Sequence, residues 1–289
     1  MCRLFGMSSG AQRTRATFWL LDAPDSLSDQ SRHDPDGTGL GFFDADGTPE
    51  VHKAPIAAYK DRSFAEEAKR VESSTFLAHI RFASTGNLTV RNTHPFEQNG
   101  RLFAHNGVIE GLDRLDVELG QDRSLVQGDT DSERFFALIT RETRNHGGDV
   151  SAGIEHAAGW IAEHLPVYAL NLIVTTPQEL WALRYPDTHQ LYVLQRSGGG
   201  QHGNRHLDHS GTAGRMRIHS QQLADTSAVV IASERMDDNP DWRLMASGEL
   251  LHLGPDLTTT GRTVLHSKPM HLLSLNDLRP DAAASQKAA

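Results

Sequence analysis

Apolar positions fall in short blocks along this chain, and their spacing changes from one region to the next. Residues 2–8 (CRLFGMS) form a nearly continuous apolar run and predict a short strand. Residues 15–22 (RATFWLLD) predict a helix or a single turn of one. The run from Leu40 to Phe43 is broken by Asp46-Gly47 and resumes at Val51, which is a hairpin signal. Over 63–71, Phe64, Ala65, Ala68 and Val71 recur at helical spacing, and Ser63 with Glu66 predicts a capping box. Residues 75–80 (TFLAHI) predict a buried strand. A polar stretch from Arg81 to Gly100 follows. Structureless loops of that length are uncommon in compact domains unless they carry function. Leu102 to Ala104 predict a further strand that stops at His105-Asn106-Gly107.

The second half is more regular. Residues 131–146 predict a helix, with Asp131 and Glu133 favouring the positive end of its dipole. Phe135, Leu138 and Ile139 face a core, with Phe136 beside them. A second helix is predicted over 150–165. Strands are predicted over 168–175, 179–184, 190–195, 215–219, 227–233 and 248–253. Strands, then a pair of helices, then strands is an α+β pattern with antiparallel sheets. Residues 2–275 read as one domain, and the small, polar tail 276–289 is expected to be disordered.

Composition narrows the function classes. Hydrophobic residues make up 38% of the chain and charged residues 22%, as in ordinary globular proteins. The net charge of −9 argues against nucleic acid or an anionic membrane as partner, since both call for a basic face. No apolar run approaches the roughly 20 residues of a membrane span. The N-terminus lacks a signal-peptide core, so the cytoplasm is the expected compartment. With a single cysteine, no intramolecular disulfide is available.

That cysteine is Cys2, directly behind Met1. Removal of Met1 would leave one residue carrying both a thiol nucleophile and an α-amine able to serve as its base. The α-amino pKa of about 7.7–8.0 lies close to the pH at which general-base work is done.

Four polar groups follow Cys2. They are His79-Ile80-Arg81-Phe82-Ala83-Ser84-Thr85-Gly86, Thr93-His94-Pro95-Phe96, Ala104-His105-Asn106-Gly107 and Thr130-Asp131-Ser132-Glu133. Singly, each has a commonplace reading: a solvated arginine at a strand end, an Asn-Gly turn, a helix N-terminus. In this order behind an N-terminal Cys, they resemble the class II glutamine amidotransferases of the N-terminal-nucleophile hydrolase superfamily, in particular the stand-alone branch. The motifs cover roughly 2–145, and the strand pattern extends the likeness over 168–253. One departure is Thr38 after Asp36-Gly37, where that branch often has Trp.

The resemblance implies a four-layer αββα sandwich of two mainly antiparallel sheets. It also implies hydrolysis of the γ-amide of glutamine or of a γ-glutamyl compound through a thioester on Cys2. By motif match, Asn106 and the Gly107 N–H would hold the oxyanion. Arg81 would bind the substrate α-carboxylate, Asp131 its α-ammonium, and Ser84 would sit near the substrate backbone. No cofactor and no metal are implied. The expected partner is glutamine or a γ-glutamyl small molecule, with or without a separate synthase that receives ammonia. His79 and His105 are expected to be structural hydrogen-bonding groups. The rival reading is an inactive homologue, or a ligand- or metal-binding one that uses His202, His206, Asp208 and His209 in the Gly-rich loop.

Overall fold

In the computed structural model the described residues are 2–82, 87–198, 209–210, 217–218 and 226–286. The strands in chain order are β1 (Arg3–Ser8), β2 (Gly37–Phe43), β3 (Pro49–Ala54), β4 (Thr75–Arg81), β5 (Phe96–Gln98), β6 (Arg101–Ile109), β7 (Pro166–Thr175), β8 (Leu180–Arg184) and β9 (Tyr192–Arg196). After them come β10 (His209–Ser210), β11 (Arg217–Ile218), β12 (Ala228–Ala232), β13 (Arg243–Leu244), β14 (Glu249–Leu253), β15 (Thr259–Thr263) and β16 (His271–Leu272). The α-helices are α1 (Leu27–Gln30), α2 (Arg62–Arg70), α3 (Leu112–Leu119), α4 (Asp131–Asn145), α5 (Val150–His164) and α6 (Pro280–Gln286).

Two large sheets stack face to face. The first runs β13-β9-β12-β1-β4-β2-β3, and every pairing along it is antiparallel. The second runs β15-β14-β8-β7-β6-β5, with β16 added parallel to β7. Helix α2 and the turn at Phe18–Asp22 cover the outer face of the first sheet, and α4 and α5 cover that of the second. This is the expected αββα sandwich.

The period-2 alternation of a strand decides what faces where. In β1, Phe5 and Met7 face the outer helices, while Leu4 faces the second sheet. In β4, Phe76, Ala78 and Ile80 face outward and Leu77 faces inward. In β6, Leu102 and Ala104 line the space between the sheets, and Phe103 packs outward on Phe135 and Phe136 of α4. A Cβ on Gly6 would come within 3.1 Å of the Ile173 and Leu180 side chains, so that glycine lets the sheets approach closely.

Several local expectations change. The strand predicted to end at His105 continues to Ile109, because His105 and Asn106 are buried ladder residues rather than a turn. Helix α2 is capped by Asp61, which accepts from the Ser63 and Phe64 N–H groups, and not by Ser63. The segment 15–22 yields one π-helical turn, Phe18–Asp22. The polar stretch 81–100 includes β5 and a 3₁₀ turn, Val90–Asn92. In the tail expected to be disordered, α6 runs to Gln286 and buries Ala282, Ser285 and Gln286, whose Oε1 lies 2.6 Å from His189 Nε2. Helix α3 and strand β15 were not anticipated.

Candidate active site

The inward parity carries on to the strand ends. Arg81 shares the face of Leu77 on β4, Asn106 shares the face of Leu102 on β6, and Cys2 precedes Arg3 of β1 with the parity of Leu4. Antiparallel register sets Arg3 opposite Ile80, which brings Cys2 to the Arg81 end of β4. Pleat and register bring Cys2 to the Arg81 end of β4, and the stacking of the two sheets sets Asn106 against Cys2.

Cys2 is buried. The Phe82 N–H donates to its Sγ at 3.2 Å, and Sγ lies 3.3 Å from the Phe82 carbonyl oxygen. Burial pushes the thiol up to about 11. The Phe82 hydrogen bond and the Arg81 charge oppose this rise, and Asp34 adds to it. At neutral pH the sulfur is therefore a thiol, and nucleophilic attack calls for a base.

Asn106 is 1% exposed, and its Nδ2 donates to the Cys2 carbonyl oxygen at 2.9 Å. An amide nitrogen has two N–H donors, so one remains for a ligand oxygen. The next residue must be glycine for packing reasons as well: a Cβ on Gly107 would lie 1.9 Å from the Ala169 carbonyl oxygen. The neighbouring His105 faces the other way. Its Nδ1 is 2.9 Å from Ser132 Oγ and its Nε2 is 3.1 Å from the Ala169 oxygen, which ties β6 to the start of α4.

Asp131 opens α4 behind the N-cap Thr130, whose side chain accepts from the Glu133 N–H. The positive end of the helix dipole favours a carboxylate at that position. Asp131 Oδ2 accepts from the Ile109 N–H at 2.9 Å, and the residue is 2% exposed. Arg81 Nη1 donates to the Asn87 carbonyl oxygen at 3.2 Å. Burial lowers the Arg81 pKa, while Cys2, Asp36 and Asp131 raise it, so these charges lie within electrostatic reach of one another. The site therefore holds a cation and an anion beside a buried thiol and an amide donor.

Ser84, His202, His206 and Asp208 lie outside the described residues, as does the side chain of His209. Among the described residues no group of three or more His, Cys, Asp or Glu side chains is arranged to hold a metal ion. No helix among them is long and apolar enough to cross a membrane.

His79 departs from its expected role as a hydrogen-bonding post. Neither ring nitrogen makes a hydrogen bond among the described residues, and the ring packs on His94 with centroids 4.2 Å apart. Burial, then Arg81 and His105, hold His79 down to about 3. Burial also pushes His94 and His105 below the usual imidazole range. All three are neutral at physiological pH.

Other polar residues at the site gave no separate signal in the sequence. Arg3, 2% exposed, pairs with Asp34 at 3.3 Å and Glu234 at 2.9 Å, anchoring the strand that carries Cys2. Asn92, 1% exposed, links the loop after β4 to the segment before α4. Arg3 is a lone charge in an apolar strand and Asn92 lies in a polar loop, and neither is marked in the sequence as a buried connector.

Comparison with known proteins agrees with this geometry. The family model described as "Glutamine amidotransferases class-II" matches residues 1–271. An uncharacterized protein of Methanocaldococcus jannaschii, MJ1515, is 28% identical over 243 residues, covering 78% of this chain and 63% of that one, so this chain spans less than two thirds of that relative. The gamma-glutamyl-hercynylcysteine sulfoxide hydrolase of Mycobacterium tuberculosis is 29% identical over 252 residues, covering 84% of this chain and 88% of the relative. Among solved structures, a glutamine aminotransferase class-II domain protein from Silicibacter pomeroyi superposes with a TM-score of 0.59 at 20% identity, over 91% of this chain and 99% of its own. The match over nearly the whole length, together with the αββα sandwich, shows that the chain belongs to the class II glutamine amidotransferases.

Proposed function

We propose that this protein hydrolyses γ-glutamyl amides through a thioester on Cys2, with Cys2 as the N-terminal residue once Met1 is removed. The observation that carries the reading is the buried thiol, pushed up to about 11, whose sulfur has as hydrogen-bond partners, among the described residues, only the backbone N–H and carbonyl of Phe82. Neither of these can take its proton. The α-amine on the same residue can, and its usual pKa suits the task.

The α-amine accepts the thiol proton as sulfur adds to the γ-carbonyl carbon. The free N–H of Asn106 Nδ2 and the Gly107 N–H stabilise the oxyanion as it develops. Collapse breaks the C–N bond, and the α-ammonium returns the proton to the leaving ammonia or amine. Water, deprotonated by the same amine, then cleaves the thioester and releases glutamate. Arg81 offers its planar fork to the substrate α-carboxylate. Asp131 offers the opposite charge for the α-ammonium. Ser84 belongs to the same reading by motif match.

The M. tuberculosis relative, named as a hydrolase of a γ-glutamyl compound, favours a γ-glutamyl small molecule over glutamine as the substrate. A separate synthase that takes ammonia is the other arrangement compatible with the site. The test is glutamate release from glutamine, glutathione and γ-glutamyl amines by wild type and Cys2→Ala, with intact mass reporting loss of Met1. Activity of the trimmed form and its abolition in Cys2→Ala are expected. Unchanged release in Cys2→Ala would overturn the assignment.

A further inference from the structure

The two charged groups read as the γ-glutamyl clamp sit on separate parts of the chain. Arg81 ends β4 and Asp131 begins α4. A clamp for one small substrate needs their separation fixed, and a misplacement of about 1 Å can cost on the order of 100-fold in rate.

Asn92 touches the supports of both. Its Nδ2 donates to the Asn87 carbonyl oxygen at 3.2 Å, the same oxygen that accepts from Arg81 Nη1. Nδ2 also lies 3.3 Å from Asp129 Oδ2, and Oδ1 accepts from the Asp129 N–H at 2.9 Å. Asp129 is two residues before Asp131. The Asn92 side chain is 1% exposed and its bonds to the exposed Asn87 and Asp129 are partly buried, so the amide is fixed from below while its partners lie at the surface. The 127–131 segment is pinned from its other side by Glu133, whose carboxylate accepts from the Gln127 N–H at 3.0 Å and the Gly128 N–H at 2.6 Å. Gly128 fits this nest because a Cβ there would lie 2.5 Å from Asn92 Oδ1.

We propose that Asn92 is a positioning residue that sets the distance between Arg81 and Asp131, and so tunes recognition of the γ-glutamyl α-carboxylate and α-ammonium without touching the reacting atoms. The inference rests on the reading of Arg81 and Asp131 as that clamp.

The test compares two reagents that alkylate Cys2, the only thiol, in full-length protein with Met1 removed. One is a glutamine-shaped diazoketone that carries both α groups. The other is iodoacetamide, which carries neither. In Asn92→Ala, labelling by the diazoketone slows by about 10- to 100-fold, while iodoacetamide labelling stays within about 3-fold of wild type. In substrate kinetics the same variant raises KM more than it lowers kcat. Asn92→Asp keeps the acceptor for the Asp129 N–H but sets a carboxylate against Asp129 Oδ2 and the Asn87 oxygen, so its diazoketone labelling falls at least as far. Iodoacetamide serves as the internal check that the pocket is folded. Parallel loss with both reagents, or wild-type discrimination in both variants, overturns the role of Asn92 alone. A wild-type protein that shows no preference for the diazoketone, and no protection by glutamate, overturns the clamp reading and the inference with it.

Discussion

The candidate site has two sides built from different material. On one, Cys2 and Asn106-Gly107 lie within or directly against paired strands, and register fixes their positions. On the other, Arg81 and Asp131 take their final placement from connecting segments, through Asn87, Asn92 and Asp129. The strand side resists local opening because Asn106 and Gly107 sit in the β6–β7 ladder and Asn106 bonds the Cys2 carbonyl. The loop side has fewer apolar contacts and more exposed backbone, and Asn87 to Arg91 are exposed. A group that must meet a developing charge belongs on rigid backbone. Groups that recognise substrate from the loop side depend on polar connectors such as Asn92 for their placement. On the proposed reading, turnover belongs to the strand side and affinity to the loop side.

Asn106→Ala is the most severe challenge to that division. Loss of one oxyanion donor lowers kcat by about 10²–10³. KM stays within about 3-fold, since the donor acts on charge absent from the ground state. Steady-state kinetics on the best γ-glutamyl amide reads both values. A rise in KM that matches the fall in kcat would show that the strand side also governs binding.

Arg81→Lys tests the loop side with a smaller effect. The cation is retained and the planar fork is lost. KM rises by about 10- to 100-fold with kcat little changed, and iodoacetamide labelling of Cys2 is unaffected. A variant with normal KM and depressed kcat would place Arg81 with the catalytic groups instead.

The same contrast explains what was legible in the sequence. Apolar periodicity located β1, β2, β4, β7, α4 and α5, because each buries one face or both in a large cluster. Cys2, Arg81, Asn106, Gly107 and Asp131 were legible as motifs. Their convergence was not, since it comes from the β1–β4 register and the stacking of the sheets. The full length of β6 was obscured because His105-Asn106-Gly107 has the composition of a turn, yet Asn106 faces the inter-sheet space and His105 is satisfied by Ser132 and Ala169. Helix α6 was hidden by its small, polar sequence. It is held by burial of Ser285 and Gln286 against His189, a tertiary contact with no periodic signal. Asn92 and Arg3 look like surface residues in sequence and are buried polar connectors in the fold.

The two sides meet at a pair of rings, His79 on β4 and His94 in the loop before β5, with centroids 4.2 Å apart. Both are buried and neutral, pressed below the usual imidazole range first by desolvation and then by charged or titratable neighbours. For His79 these are Arg81 and His105; for His94 they are His79, His105, Arg81 and Lys53. A histidine whose folded pKa lies below its unfolded value binds fewer protons in the native state. Its contribution to stability is present above the unfolded pKa of about 6.5 and is lost as pH falls toward the folded one. Between pH 7 and pH 6 each such histidine removes roughly 0.7 kcal/mol from unfolding stability. Urea unfolding of wild type is therefore expected to weaken over this interval. In His94→Phe, which keeps an aromatic ring against Phe96 and removes one titrating group, the loss is smaller by about that amount. Because both rings stay neutral in the folded state near pH 6, the effect belongs to the unfolded chain, and His94→Phe should leave the pH dependence of substrate KM over this interval unchanged. An identical pH slope of stability in the variant would mean that burial does not hold the His94 ring neutral in the folded protein.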